Sequence, residues 1–272
     1  MDLQLKDRIV VVTGAGSGIG AAVARAFCDE NAKTVFTDID EEGLRHALKG
    51  YENRGMSIAC DVSNRSDVAQ LFMTVEKEFG NLHVLVNSAA INTADYVENI
   101  KNDDLEAVLN INVKGYIHTT MEAIPRMKKS GFGRLIYINS GSGLKASAGM
   151  SLYSASKYFN RGFAIATALE LGRFNITANS ICPSDIYPGK VPMDEKGLQA
   201  RSWLTESLVR ISLEKEDVSS LNELIQRRTQ KNPMRRSCTT EDVANLALFL
   251  ASDRAGFING QSIGLNGGAF PY

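Results

Sequence analysis

Short apolar runs alternate along the chain with longer segments in which apolar residues recur every three or four positions. The first runs read "RIVVVTG", "KTVFTD", "MSIACDV" and "LHVLVNSAA", and helix-like segments such as "GAAVARAFCDE" and "SDVAQLFMTVEKEFG" lie between them. Runs rich in β-branched residues without polar interruption are typical of parallel strands buried on both faces. Their alternation with helices predicts a series of βαβ units.

The same pattern continues to residue 183 and then breaks. A long helix is predicted around residues 103–129, followed by the strand "GRLIYINS", another helix and the strand "NITANSICP". Residues 184–236 hold three prolines, the only tryptophan and two charged helical segments, and a last helix and strand follow. The sequence therefore predicts an α/β fold over residues 1–272. We expect a single Rossmann-type, doubly wound parallel sheet with helices on both faces and a helical substrate lid at 184–236.

Composition narrows the class of partner. The chain has 30 basic and 31 acidic residues, a net charge of -1 and no long run of either sign. This balance argues against nucleic acid or a membrane and favours a small-molecule partner. The four cysteines form no C-x-x-C pair and the three histidines show no metal-ligand spacing, so we expect reduced thiols and no metal site. The N-terminal apolar run is too short for a signal sequence, and we expect a cytoplasmic protein.

A glycine-rich turn, "TGAGSGIG", directly follows the first strand and opens a helix. Glycines allow a tight turn and let backbone N–H groups and the helix N-terminus approach a pyrophosphate. The spacing G-x-x-x-G-x-G differs from the G-x-G-x-x-G fingerprint, and such turns also occur as plain connections. The turn predicts a dinucleotide site that includes Gly14, Ser17, Gly18, Ile19 and Gly20.

Asp38 ends the second strand, eighteen residues after Gly20. A carboxylate at this place can accept hydrogen bonds from both hydroxyls of an adenosine ribose, and it would repel a 2′-phosphate. Because no lysine or arginine lies within the glycine-rich turn, we expect NAD rather than NADP as cofactor. The alternative is that Asp38 caps the helix that begins near Glu41.

Three further polar residues follow predicted strands or interrupt a helix. Asp61 could accept a hydrogen bond from the adenine amino group, or Asp61 or Ser63 could cap the next helix. Asn87 ends the fourth strand and could hold the turn or line the cofactor cleft. Asn112 lies inside a helical segment, where asparagine is disfavoured because its amide competes for backbone hydrogen bonds. From these residues alone, the role of each stays open.

Tyr153 and Lys157 are four residues apart in "LYSASKYFN", so a helix would place them on one face. An ammonium close to a phenol favours the phenolate, and Tyr153 would then titrate below its usual value of about 10. Such a tyrosine could exchange a proton near neutral pH. The alternative is an ordinary amphipathic helix with a half-buried tyrosine and a solvated lysine.

The chain resembles the short-chain dehydrogenase/reductase family over essentially its whole length. The resemblance is carried by an ordered set of motifs and residues: "TGAGSGIG", Asp61, "NSAA", Asn112, Ser140, "YSASK" and "LNGG". This resemblance implies that Tyr153 is the general acid/base and that Lys157 lowers its pKa and binds the nicotinamide ribose. It also implies that Ser140 binds the substrate oxygen and that Asn112 holds a water that links Lys157 to solvent. The cofactor contacts that it implies are Asp61, Val62, Asn87, Ala89, Tyr153, Lys157, Pro183 and Ile186.

The chain departs from the family pattern at three places. Ser88 and Ala90 stand within a motif that is usually Asn-Asn-Ala-Gly, which questions the backbone freedom at Ala90. Ser184 replaces the usual glycine after Pro183, without the expected threonine further on. Asn266 stands where an aspartate is common, and the sequence offers no interpretation of that change.

The region 184–236 more weakly resembles sugar-alcohol and sugar-alcohol-phosphate dehydrogenases such as the sorbitol-6-phosphate 2-dehydrogenases. It predicts a small polyhydroxylated alcohol or ketone, with or without a phosphate, facing polar residues of the lid. These residues are Lys190, Lys196, Arg201, Ser202 and Arg210, with Trp203 as a ring face or anchor. The alternatives are a 3-oxoacyl or 3-hydroxyacid dehydrogenase of the same family and, more remotely, a non-enzymatic NAD-binding regulator.

Subunit assembly is the last expectation from the sequence. The family resemblance implies a homotetramer or homodimer, in which the helix of Tyr153 and the long helix before Ser140 pack against their copies. Both segments offer the required apolar faces, in "FNRGFAIATALELG" and "LEAVLNINVKGYIHTT".

Overall fold

The computed structural model describes residues 2–187 and 206–270. At its centre is a seven-stranded sheet in the order β3-β2-β1-β4-β5-β6-β7, and all neighbouring strands are parallel. The strands are β1 (Ile9–Thr13), β2 (Lys33–Asp38), β3 (Gly55–Ala59), β4 (Val84–Asn87), β5 (Gly133–Ile138), β6 (Ile176–Pro183) and β7 (Ser262–Leu265). The strand order reverses direction between β1 and β4, which opens a crevice at the carboxyl ends of these two strands.

Helices cover both faces of the sheet. The side chains of β1 alternate between two separate cores, one on each face of the sheet. Val10 and Val12 lie in one core and Val11 lies in the other, and helices cover each of them. The α-helices are α1 (Gly18–Asp29), α2 (Glu41–Leu48), α3 (Arg65–Phe79), α4 (Asn102–Val108), α5 (Gly115–Ser130), α6 (Ser151–Leu171), α7 (Glu206–Glu216), α8 (Leu221–Lys231) and α9 (Thr240–Ala251). The predicted doubly wound Rossmann-type fold is therefore confirmed.

The predicted long helix before β5 is wrong in one respect, because it is not a continuous α-helix. Between α4 and α5 the residues Leu109–Lys114 form a π-helical segment, in which Gly115 N donates to Asn110 O. A π segment inserts one extra residue into a turn, and such segments are frequent at functional sites. It contains Asn112, the residue that had looked out of place in an α-helix.

Two capping roles that the sequence left open as alternatives are not found. Asn64 caps α3, since its side chain accepts hydrogen bonds from Ser66 N and Asp67 N, so neither Asp61 nor Ser63 has that role. The N-cap position of α2 is Asp40, and Asp38 lies two residues outside the helix.

The region predicted as a lid is described in part. Residues 188–205, which include Lys190, Lys196, Arg201, Ser202 and Trp203, lie outside the described residues. Helix α7 buries Leu208 and Ile211 in a small apolar cluster with Ala94, against which Met150 packs. No helix within 2–187 or 206–270 has the length and apolarity needed to cross a membrane.

Candidate active site

The glycine-rich turn after β1 is held so closely that two of its glycines cannot be replaced without a clash. Gly14 has a φ of +66°, and a Cβ there would lie 2.8 Å from the backbone of Ala89. A Cβ on Gly20 would lie 2.0 Å from Gly14 O. Thr13 also holds the end of β1 close to the segment after β4, because its Oγ1 accepts hydrogen bonds from Ser88 N and Ala89 N at 3.0 and 3.1 Å.

The N-terminus of α1 opens towards this turn. Ser17 is the N-cap residue, but its side chain makes no capping hydrogen bond, and the first turn carries no acidic residue. Ser17 and Gly18 are exposed and Ile19 is half-buried. Backbone N–H groups at a helix start have no partner within the helix, so this end of α1 suits an anionic phosphate group.

Asp38 lies at the edge of the same turn. Its Oδ2 accepts a hydrogen bond from Gly16 N and its Oδ1 accepts one from Asp40 N, both at 3.0 Å. Each carboxylate oxygen has a further lone pair, so both can accept another hydrogen bond. Ile39, which the sequence analysis did not single out, is 71% exposed beside Asp38. A large apolar side chain left in solvent at this point is a candidate for contact with a bound ligand.

Asp61 and Val62 follow β3 at the same end of the sheet. Asp61 Oδ1 accepts hydrogen bonds from Ser63 N at 2.9 Å and from Ser63 Oγ at 2.7 Å, which shapes the turn before α3. Val62 is buried, and its Cγ2 would lie 2.8 Å from a Cβ on Gly115, so the first residue of α5 must be small.

The side chain of Asn87 is directed at α5. Its Nδ2 donates to Thr120 Oγ1 at 3.3 Å, and its Oδ1 accepts from Thr119 Oγ1 at 2.7 Å. These contacts tie the end of β4 to α5 and support neither of the two sequence-based alternatives over the other. Ala90 does not have the left-handed backbone that would favour glycine, so the departure from the family motif causes no strain there.

Ser140 and Tyr153 come together from two elements. Ser140 follows β5, where its Oγ accepts a hydrogen bond from Ser142 N at 3.1 Å. Burial raises the pKa of Tyr153 to about 12, and a hydrogen bond with Ser140 acts in the opposite direction. The lowering of the Tyr153 pKa by Lys157 that the sequence predicts is not found in the ligand-free site, where loss of hydration raises this pKa.

Lys157 is buried one turn further along α6, with 2% of its surface exposed. Its Nζ donates to Ile138 O at 3.2 Å and lies 5.5 Å from the ring centroid of Tyr153. Burial lowers the pKa of Lys157 to about 8, and the nearby Cys182 opposes this effect. The amine can thus gain or lose a proton close to neutral pH.

Asn112 joins the π segment to a loop and to α6. Its Oδ1 accepts a hydrogen bond from Ile91 N and its Nδ2 donates to Ile91 O, both at 2.9 Å. The same Nδ2 donates to Ser156 Oγ at 3.2 Å. Every polar atom of this buried side chain therefore has a partner, and its backbone carbonyl accepts from Asn160 Nδ2 at 3.0 Å.

The segment after β6 borders the same cleft. Pro183 ends β6, Ser184 N donates to Leu265 O at 3.0 Å, and Ile186 forms an isolated bridge with Cys238. The structure also explains Asn266, because its Nδ2 donates to the backbone oxygen of Phe270 at 3.1 Å, a bond that an aspartate could not donate.

Two further residues at the site were not identified from the sequence. Thr13 and Asn139 act through backbone contacts, with Asn139 Nδ2 donating to Lys157 O at 3.1 Å. A threonine before a glycine-rich turn and an asparagine after a strand carry no distinctive spacing, so no sequence signal would have identified them. Among the described residues, no group of three or more histidine, cysteine or acidic side chains could hold a metal ion.

Comparisons with known proteins agree with this geometry. Residues 8–196 match the family model for short chain dehydrogenases, and residues 207–269 match that for enoyl-(acyl carrier protein) reductases. The 3-oxoacyl-(acyl-carrier-protein) reductase FabG of Thermotoga maritima is 30% identical over 98% of this chain and 99% of that protein. The D-beta-hydroxybutyrate dehydrogenase of Rhizobium meliloti is 32% identical over 96% of this chain and 98% of that protein.

Solved structures show the same similarity. An actinorhodin polyketide ketoreductase with NADPH aligns with a TM-score of 0.85 at 27% identity and covers 98% of both chains. Levodione reductase aligns with a TM-score of 0.83, and at 24% identity this likeness concerns the fold alone.

Proposed function

The chain belongs to the short-chain dehydrogenase/reductase family and is an oxidoreductase of CH–OH groups, and we propose that it interconverts a 3-hydroxyacyl and a 3-oxoacyl group. The substrate would be a short thioester or the free acid. The observation that carries the proposal is that two relatives with such substrates in their names match this chain over almost its entire length. The sequence-based alternative is thereby favoured over the sugar-alcohol substrate that the lid had suggested.

The proposed catalytic roles follow from the arrangement of Ser140, Tyr153 and Lys157. A nicotinamide cofactor supplies or accepts the hydride, and the substrate oxygen then needs a proton donor or acceptor nearby. Because burial raises its pKa, Tyr153 is protonated near neutral pH in the ligand-free site, so a proton is present for transfer to the substrate oxygen in carbonyl reduction. Ser140 would orient the substrate oxygen, and Lys157 would return a proton to Tyr153.

The residues present fit a dinucleotide. The turn around Gly14 and the open start of α1 would form a cradle for a pyrophosphate, and the remaining lone pairs of the Asp38 oxygens would accept hydrogen bonds from ribose hydroxyls. Since Asp38 would repel a 2′-phosphate, we propose NAD as the preferred cofactor. The remaining contacts would come from Asp61, Val62, Ala89, Pro183 and Ile186, with Asn87 acting indirectly through α5.

An apolar cluster beside the start of α6, the helix of Tyr153, supports an acyl substrate. Met150, three residues before Tyr153, packs against the buried cluster of Ala94, Leu208 and Ile211. By contrast, Arg210 is already engaged with acidic neighbours, lying 3.7 Å from Asp95 Oδ1 and 3.4 Å from Glu214 Oε1. Arg210, which lies in the described part of the lid, is therefore already paired and is not a free cation for a phosphate or a polyol.

A substrate panel tests the proposal. The purified protein should reduce a short 3-oxoacyl thioester with NADH, or oxidise 3-hydroxybutyrate with NAD⁺, at rates well above those with polyols, ketoses and their phosphates. The matched control is a Tyr153→Phe preparation, which separates enzyme turnover from background reaction. Turnover of a polyol or ketose, with none of any 3-oxo or 3-hydroxy acyl compound, would reject this substrate class and leave the family assignment unchanged.

A further inference from the structure

The turn that directly follows Ser140 is packed closely on two sides. Residues Gly141–Gly143 form a short 3-10 turn in which both glycines are buried. Ser140 lies at the N-cap position of this turn, where its Oγ accepts a hydrogen bond from Ser142 N at 3.1 Å. The place of the Ser140 hydroxyl therefore depends on the place of the turn.

On one side, the turn lies against α6. A Cβ on Gly143 would lie 2.7 Å from Asn139 Oδ1 and 3.0 Å from Lys157 O. Asn139 Oδ1 accepts a hydrogen bond from Ser140 N at 3.0 Å, and Asn139 Nδ2 donates to Lys157 O at 3.1 Å. These contacts fix one side of the turn relative to the helix that carries Tyr153.

On the other side, the turn lies against the ring of Phe270. A Cβ on Gly141 would lie 2.7 Å from Phe270 Cζ and 3.3 Å from Pro183 O. Two carbon atoms do not approach to 2.7 Å without a clash, so the ring occupies the space that a side chain at position 141 would need. Gly141 does not have a left-handed backbone, so the close approach of Phe270 is what requires glycine there.

Phe270 is itself held by a compact turn that follows β7. Asn266 Nδ2 donates to Phe270 O at 3.1 Å, Asn266 O accepts from Ala269 N at 3.1 Å, and Asn266 Oδ1 accepts from Gly268 N at 3.0 Å. An aspartate could accept from Gly268 N but could not donate to Phe270 O. The asparagine at position 266 therefore helps to place the ring of Phe270.

We propose that Phe270 is a positioning residue for Ser140, and that its ring, held by Asn266, confines the turn so that the Ser140 hydroxyl stays directed at the substrate oxygen beside Tyr153. The inference rests on the proposed function of Ser140. A group that contacts a reacting substrate must be held within about 0.5 Å of its working place, and a displacement of about 1 Å can cost about 10²-fold in rate. Phe270 acts through Gly141 and needs no contact with the substrate.

A double-mutant cycle tests whether Phe270 acts through Ser140. With NADH and whichever carbonyl compound the enzyme reduces fastest, Phe270→Ala should lower kcat of the wild type by about 10-fold, because the turn gains freedom. In a Ser140→Ala background the same substitution should lower kcat by less than about twofold, since the hydroxyl that it positions is already gone. KM for NADH should stay within about twofold throughout.

Phe174→Ala is the matched control. Phe174 is half-buried, as Phe270 is, and it precedes β6, so it lies at the opposite end of the sheet from Ser140. The control should leave kcat unchanged in both backgrounds. An equal loss from Phe270→Ala in the two backgrounds would mean that Phe270 only supports the fold, and it would overturn the inference, as would an unchanged kcat.

An exchange of side-chain size tests the packing without any substrate. Gly141→Ala should lower the midpoint of thermal unfolding of the wild type by roughly 3 °C or more, because the new Cβ collides with the ring. In a Phe270→Ala background the same substitution should lower the midpoint by less than half as much. The effect of Gly→Ala on the unfolded chain is the same in both backgrounds and cancels in the comparison. Equal shifts would show that the ring does not confine Gly141, and would overturn the inference.

Failure of the proposed function is distinguishable from failure of this inference. If no 3-oxo or 3-hydroxy acyl compound is turned over, the proposed substrate class fails, whereas the unfolding measurement and a cycle with another carbonyl compound still decide the role of Phe270. If Phe270→Ala does not fold, Phe270→Leu replaces it in both experiments, because leucine has no atom at the Cζ position that meets Gly141.

Discussion

At the scale of single residues, burial sets the protonation of the two groups that meet in the candidate site. It raises the pKa of Tyr153 to about 12 and lowers that of Lys157 to about 8. As pH rises from 7, Lys157 therefore loses its proton well before Tyr153 does. In the ligand-free site, Tyr153 is therefore protonated near neutral pH, whereas Lys157 titrates much closer to it.

Tyr153→Phe should reduce kcat by at least 10²- to 10⁴-fold, because the proposed proton donor is removed while the ring remains. Binding of NADH, measured by fluorescence titration, should change little. Tyr158→Phe on the same helix is the matched control: its hydroxyl donates to Leu144 O at 2.8 Å, and it is 42% exposed. Near-wild-type turnover of Tyr153→Phe would contradict the proposed mechanism.

Asp38→Asn should narrow the preference for NAD over NADP. The amide keeps an oxygen for Gly16 N but removes the charge that repels a 2′-phosphate. The measurement is the ratio of kcat/KM with the two cofactors, in the variant and in the wild type. A wild-type enzyme that already prefers NADPH would show that Asp38 serves the turn rather than cofactor selection.

At the scale of elements, the strands could be predicted from the pattern of apolar residues, whereas the π segment depends on contacts between distant residues and could not. Unbroken apolar runs such as Val10, Val11 and Val12 predict strands buried on both faces, and all three residues are fully buried in the structure. The π segment could not be predicted, because it accompanies hydrogen bonds between Asn112 and the backbone of Ile91, which is 21 residues earlier in the chain. The raised pKa of Tyr153 in the ligand-free site could not be predicted either, since burial is a property of the fold.

The cap of α3 offers an element-scale test. Asn64→Ala should lower the free energy of unfolding by about 0.5–2 kcal/mol, because Ser66 N and Asp67 N lose their acceptor. Urea unfolding followed by circular dichroism measures the change. Ser63→Ala is the control and should cost less, because Ser63 is not the cap. An equal loss in both variants would argue that the turn as a whole, not the cap, stabilises this end of α3.

At the scale of the whole molecule, α6 carries an apolar stripe that the described chain leaves uncovered. Tyr158, Ile165 and Leu169 are 42%, 38% and 82% exposed, and a Cβ on Gly162 between them would meet no other atom within 4 Å. Residues at this spacing lie along one helix face. The stripe supports the prediction of a homodimer or homotetramer, in which α6 packs against its copy.

Light scattering at micromolar concentration tests this assembly. The wild type should have the mass of two or four chains, and the double variant Ile165→Glu with Leu169→Glu should shift it towards smaller particles by placing charges in the interface. Met73→Glu is the control, because Met73 is 51% exposed on α3 and outside the stripe. A wild-type protein that is strictly monomeric would contradict the prediction.

Acid should destabilise the fold through His83. Its Nδ1 accepts a hydrogen bond from Ile9 N at 2.9 Å, so the ring must be neutral, and burial together with the nearby Arg8 lowers its pKa. Since the unfolded chain binds this proton more readily, the contribution is complete above about pH 6.5 and is lost as pH falls through the lower folded-state pKa.

Thermal unfolding between pH 8 and pH 5 measures this loss. His83→Asn is the matched variant, because an asparagine oxygen can accept from Ile9 N without titrating in this range. The wild type should lose more stability than the variant as pH falls. Parallel curves for the two proteins would exclude His83 as the source.

The position of β7 has a consequence for the order in which a newly made chain acquires activity. Synthesis proceeds from the N-terminus, so β7 is made after every other described element. Yet Leu265 O holds Ser184 N at the cleft, Asn266 O accepts from the side chain of Asn232, and the ring of Phe270 packs directly on Gly141. A nascent chain can therefore build the sheet around β1 and β4 early, but the candidate active site lacks these contacts until residues 262–270 have left the ribosome.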